Sequence, residues 1–490
     1  MASTVPGQRQ IIDVGNFDLL VSQVDHYRSL EIANPVEIPR DFVELEAQLK
    51  QESDVLSSYE YNHNFIIPLI KHLNTRADAE EELSNRMEKT YISGTSTDFY
   101  SETSDYLFTD SVFLSSTRSD ESDTSTTLGW RKGKSLFEIK LTDIEEDAIK
   151  AALLYIKVFS KRETSTVCRT TFVAQKMIIN LYQDFIDCEI SHEVQFCKQP
   201  PIAPLLSWGN GPATWTEAHT KSIGLKNVAI VNLPIGNSQG GIFAWTTLAH
   251  EVSGHDLLMA ADLINELYQN VRDSLRSKGI SQDTTNYWVS KVERIDEIAS
   301  DILGVLNLGP AAAIGLIGYL KGLSPNKKLR PNGPKEDEHP ADVLRGIAVA
   351  NAVDRLAIQN RTQWSSLFYE KVVEDFPSTV NLDGKDISDQ EAMRSAEIVS
   401  HAILNSFLPV LNGKSLRMVR TWGVKDQQVT EQIGACLSNK TLAGVPAYCK
   451  KSIDKQYAKH IIAAATIESL KMHADPQVIF SNMIKLLERA

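Results

Sequence analysis

The residues best able to do chemistry in this 490-residue chain lie in the stretch LAHEVSGHDLL, Leu248 to Leu258. Two histidines, His250 and His255, stand five positions apart, with Glu251 directly after the first. Neutral imidazoles are good zinc ligands, and a carboxylate beside them can act as a general base. In the common HExxH arrangement the histidines are four apart and share one helical face. At a spacing of five, a regular helix carries the second histidine about 140° around from the first. Both can face one ion only if the helix takes in an extra residue, as a π-type bulge does, and such bulges collect at functional sites. Gly254 sits where that distortion is needed, and glycine tolerates unusual backbone. The opposing reading is a pair of hydrogen-bonded core histidines with no metal at all.

A zinc site built on two histidines needs a third protein ligand, with the fourth position left open for catalysis. The segment VERIDEIASDILG offers one. Glu297 and Asp301 stand four apart on one face of an expected helix, and that face runs on into an uncharged core segment. Carboxylates entering so apolar a stretch are costly to bury unless they are paired or bind metal. Glu297 is the expected third ligand, and Asp301 the acceptor that orients a histidine N–H. Glu293, one turn earlier, competes with Glu297; its neighbours Lys291 and Arg294 give it the look of a solvated residue.

A strand, a helix with HExxGH and a later helix with ExxxD together resemble the zincin metallopeptidases whose third ligand is glutamate, the gluzincin-like group. The six-residue form, with glycine before the second histidine, is similar to that of the dipeptidyl peptidase III family. The resemblance spans Val228 to Gly304. It implies one zinc ion per chain, Glu251 as the base that activates water, and hydrolysis of peptide bonds. It also implies that the strand Val228 to Leu233 lines the cleft and pairs with an extended substrate. Several zinc-peptidase families carry a His-Pro…Arg stretch like His339-Pro340 and Arg345. By that likeness His339 stabilises the oxyanion, and Arg345 holds either the fold or a substrate carboxylate. The alternative is that Pro340 starts a helix and Arg345 makes a surface ion pair. Tyr319 is a further candidate for a substrate-facing hydrogen bond, against an ordinary core tyrosine.

The elements that must position these residues are mostly helices. LKNVAIVNLP reads as a buried strand ended by Pro234, and Gly236 to Gly241 as a flexible loop leading into the histidine helix. Ile302 to Leu320 carries no charge, but Asn307-Leu308-Gly309-Pro310 interrupts it, so it reads as two buried helices rather than a membrane span. Beyond Ala260 the pattern is nearly all helix, with Ser388 capping one through His401. NLDGKDIS reads as a turn, GNGPATW as another. The expected fold is α+β and predominantly α-helical: an N-terminal helical region over 1–90, a Ser/Thr-rich insertion or linker over 91–129, and a zincin-like catalytic region over 130–490.

Bulk composition narrows the partners. A net charge of −13 argues against nucleic acid and anionic membrane, which require clustered positive charge. A peptide or small-molecule substrate is expected, and nothing fixes the oligomeric state. The five cysteines form no CxxC pair, and MASTVPGQRQIIDVGN has no apolar h-region. Reduced thiols and a cytoplasmic protein are the expectation. A rival from another class is a non-catalytic helical interaction protein on a zincin-like scaffold; a middle option is a zinc hydrolase acting on a non-peptide amide or ester.

Overall fold

The computed structural model describes residues 12–30, 169–171, 173–174, 176–182, 204–208, 211–215, 229–438 and 458–489. The Ser/Thr-rich stretch 91–129 and nearly all of the expected N-terminal helical region lie outside them. The chain divides into two compact units. One gathers residues 1–32, 169–214 and 231–490; the other, residues 33–168 and 215–230, falls almost wholly outside the described residues.

The described elements are predominantly helical. They begin with α1 (Phe17–Ser29) and three short strands, β1 (Leu205–Trp208), β2 (Ala213–Trp215) and β3 (Ile230–Leu233), ordered β1-β3-β2 in one sheet. Within GNGPATW, expected as a turn, Ala213–Trp215 thus form a strand. The expected flexible loop contains a 3₁₀ turn, Ile235–Ser238, in which Gly236, Asn237 and Ser238 are buried. Next come α2 (Ile242–His250), a π-helical segment Glu251–Asp256, and α3 (Leu257–Ala260). The chain continues through α4 (Ile264–Ser277), α5 (Gln282–Val289), α6 (Val292–Leu308), α7 (Pro310–Leu323), α8 (Asp342–Asp354) and α9 (Arg361–Val373). A hairpin of β4 (Thr379–Leu382) and β5 (Lys385–Ser388) turns at Asp383–Gly384, both with positive φ, which gives NLDGKDIS its expected turn. Then come α10 (Asp389–Asn405), α11 (Leu416–Val419), α12 (Val424–Leu437), α13 (Ala458–Ser469) and α14 (Pro476–Arg489).

Local chemistry explains the main boundaries. Ser281 and Ser388 cap α5 and α10 by accepting the backbone N–H three residues on. Glu391 does not close the reciprocal half of a capping box; its carboxylate accepts instead from Ser281 N and Thr284 Oγ1 of the α5 cap, tying the two helix starts together. Gly309 adopts φ 61° between α6 and α7, and Pro310 opens the new helix, so the uncharged stretch is broken as its sequence predicts. No described helix is long and apolar enough to cross a membrane.

The core is built around α6, which packs on α2, the π-helical segment, α7 and α8. Every residue of α6 from Ile298 to Leu308 is buried. Helix α1 joins this core through Phe17, whose ring lies 6.0 Å from that of Phe243 on α2. One expectation from the sequence is corrected here. Cys436 is disulfide-bonded, to a partner outside the described residues, so reduced thiols do not hold throughout. Glu293 is exposed, as its polar neighbours suggest, but the adjacent Arg294 is fully buried, and much depends on it. Its guanidinium donates to the carbonyls of Tyr287 (2.6 Å), Pro334 (3.0 Å) and Asp337 (3.1 Å), and to Asp383 (2.8 Å). It also lies 4.2 Å over the Tyr287 ring, while the Tyr287 hydroxyl accepts from Ala341 N. One buried cation thus fastens the 334–341 loop to the start of α6. Arg294→Met removes the buried ion pair with Asp383 and the three carbonyl contacts, and is expected to cost about 3–5 kcal/mol. A shifted denaturation midpoint at unchanged slope checks this.

Candidate metal centre

The site begins where α2 ends. His250 closes that helix, and the π-helical segment Glu251–Asp256 follows without a break in direction. Its wider turn returns His255 to the side that His250 occupies, which a regular helix would not do. The two rings stand edge to face, 4.7 Å between centroids, with their Nε2 atoms 3.0 Å apart. Gly254 permits this for a reason different from the one expected. Its backbone is ordinary, but a Cβ there would lie 2.4 Å from Ser300 Cβ and 2.6 Å from Ser300 Cα on α6. Glycine is required by the close approach of two helices, not by an unusual dihedral.

That approach delivers three carboxylates. Asp296 Oδ2 sits 2.6 Å from His255 Nδ1, and Asp301 Oδ1 lies 2.8 Å from His250 Nδ1. With each Nδ1 facing an acceptor, both Nε2 atoms turn inward. Glu297 completes the ring: Oε1 is 3.4 Å from His255 Nε2, and Oε2 is 3.6 Å from His250 Nε2. Zinc–nitrogen bonds of roughly 2.0–2.1 Å place tetrahedral neighbours about 3.3 Å from one another. The two nitrogens stand 3.0 Å apart and Oε1 lies 3.4 Å from one of them, both near that value, so the donor set fits a small tetrahedral ion. Glu297 is buried and Glu293 exposed, and only Glu297 gathers with the histidines.

The remaining candidates fall in distinct places. Glu251 is buried, and Thr214 on β2 donates its hydroxyl to Glu251 Oε2 at 2.6 Å. His339 stands on the loop that Arg294 anchors; it is exposed, is held by Asp337, and puts Nε2 3.5 Å from Glu297 Oε1. Arg345 is buried, with its fork on Asp301 at 2.8 and 2.8 Å and on Glu297 Oε2 at 3.1 Å. Its guanidinium is therefore engaged inside the site, neither in a surface ion pair nor free for a substrate carboxylate. Tyr319 is buried, and its hydroxyl donates to Gly211 O at 3.4 Å. Strand β3 lies between β1 and β2, so both its edges are already paired, and the substrate pairing implied for Val228 to Leu233 finds no free edge there. Asp296 and Thr214 escaped sequence reasoning. Asp296 neighbours Glu297 and so points about 100° away on the helix; it reaches the site only because His255 stands off to that side. Nothing in the sequence relates Thr214 to Glu251.

The charges hold one another in place. Burial opposes ionisation of Glu297 and Asp301, but Arg345 and the histidines outweigh it and keep both carboxyls below their ordinary range. Burial also opposes protonation of His255, yet Asp296 and Glu297 prevail and hold its pKa well above the usual imidazole value. The two carboxylates thus favour the doubly protonated ring, whose second proton sits on the nitrogen a metal must use. Comparison with protein-family models, with curated proteins and with solved structures finds no match for this chain.

Two outcomes follow from this geometry. Gly254→Ala forces the π-helical segment and α6 apart; it should cost about 1–3 kcal/mol and weaken metal retention, read by thermal melts and metal content. Zinc binding near neutral pH should release about one proton, so apparent affinity rises with pH. Calorimetry in buffers of different ionisation enthalpy measures that number directly.

Proposed function

We propose that this chain is a zinc-dependent hydrolase, a metallopeptidase of the zincin kind that cleaves peptide bonds. The observation that supports it most is the π-helical turn that aims His250 and His255 at one point beside Glu297, with Glu251 next in sequence. A hydrogen-bonded pair of core histidines explains one 3.0 Å contact; it leaves unexplained why two nitrogens and a buried carboxylate converge with tetrahedral spacing. His250, His255 and Glu297 would hold one zinc ion, which supplies Lewis acidity for polarising a carbonyl.

The rest is done by side chains. Glu251, with Oε2 steadied by the Thr214 hydroxyl, takes a proton from the attacking water and returns it to the leaving amine. Asp301 and Asp296 sit against Nδ1 of the two imidazoles and leave each Nε2 turned inward, where a metal would meet it. His339, exposed at the rim and tethered by Asp337, is placed to donate to a developing oxyanion. Tyr319 lies deeper, beside the segment that carries Thr214, and supports that segment through Gly211.

The test pairs metal analysis with turnover. Wild type should carry close to one zinc per chain and His255→Ala should lose it. Glu251→Gln should keep the zinc while turnover on a peptide library falls by about 10²–10⁴-fold. No zinc in wild type after supply, or equal turnover in Glu251→Gln, would sink the reading. Zinc without peptide turnover, but with hydrolysis of simple esters or amides, would reassign the substrate class.

A further inference from the structure

Arg345 is a buried cation set against a cluster that must itself accept a cation. It rises from the first turn of α8 and donates Nε and Nη2 to the two oxygens of Asp301, while Nη2 also lies 3.1 Å from Glu297 Oε2. A positive charge so close to a metal ligand repels the metal and competes for its carboxylate, so its presence demands a reason. Balancing Asp301 alone would not require the contact with Glu297.

The reason lies in what the fork occupies. With Oε2 committed to Arg345, Glu297 has only Oε1 left to offer, the atom 3.4 Å from His255 Nε2. Asp301 is held on both oxygens by the fork, and its Oδ1 also meets His250 Nδ1, so it cannot swing in as a further oxygen ligand. Two imidazoles and one carboxylate oxygen suit a small tetrahedral ion. Larger, oxygen-seeking ions such as manganese(II) gain from two-oxygen carboxylates and higher coordination numbers. We infer that Arg345 sets the ion selectivity of this centre: by confining Glu297 to one-oxygen ligation and holding Asp301 outside the coordination shell, it favours zinc over manganese. This rests on the metal reading of the same site.

The experiment uses the full chain as wild type, Arg345→Met and Arg345→Lys. Zinc and manganese dissociation constants are measured by competition with a chromophoric chelator at fixed pH and salt, and the visible spectrum is recorded with cobalt(II). Arg345→Met, of similar length but neutral, should lower the zinc-to-manganese affinity ratio by about tenfold or more. It should also weaken the cobalt bands as the ion gains ligands beyond four. Arg345→Lys keeps the charge but loses the planar fork, and should move in the same direction. A purely structural arginine would weaken both ions alike and leave the ratio and the cobalt spectrum unchanged; that result in a folded variant overturns the inference. If Arg345→Met does not fold, Arg345→Lys decides by the same two readings. Wild type that binds neither zinc nor cobalt defeats the metal reading itself; wild type that binds them, with unchanged variants, defeats this inference alone.

Discussion

The site depends on how closely the π-helical segment approaches α6. At Gly254 the two backbones come so near that no side chain fits above Ser300. That contact fixes which residues of α6 can reach the histidines. Asp296, Glu297, Ser300 and Asp301 span a little more than one helical turn, and all touch either His250 or His255. A methyl group at position 254 would move the α6 residues together, and the centre would come apart as a unit.

Placing four carboxylates beside two imidazoles, with Glu251, Glu297 and Asp301 buried, is costly unless the charges balance. The structure meets that cost with pairs rather than with solvent. Asp301 and Glu297 share Arg345, Asp296 faces His255, and Glu251 accepts from Thr214. Arg294 performs the same service outside the centre, joining α6 to the loop that presents His339. Two buried arginines, one on α6 and one on α8, thereby hold the ligand helix from both sides. Rigid ligands of this kind limit the geometries an ion can adopt, which favours ions that accept the geometry offered.

Much of the architecture was legible in local sequence because it is local chemistry. The break at Gly309-Pro310, the caps at Ser281 and Ser388, and the Asp383–Gly384 turn each depend on a few adjacent residues. The five-residue spacing of His250 and His255 likewise implied an extra residue in the turn, since regular helical geometry excludes the alternative. Less legible was anything decided between elements. Arg294 sits among polar neighbours in the sequence, yet it is fully buried because Tyr287, Pro334, Asp337 and Asp383 converge on it from three other segments. The strand expected to meet a substrate has neighbours on both sides, a matter of sheet order that no single strand reveals.

The sequence by itself determined the helical class, the π-type turn and the pairing of HExxGH with a later acidic helix, because periodicity and spacing act along one chain segment. Tertiary structure alone decided that Asp296 rather than a more distant acid would meet His255, that Thr214 would steady Glu251, and that Arg345 would turn inward onto Glu297 and Asp301. Those choices depend on the distance and rotation between packed helices. Both were set here by a glycine whose missing side chain has meaning only once Ser300 is beside it.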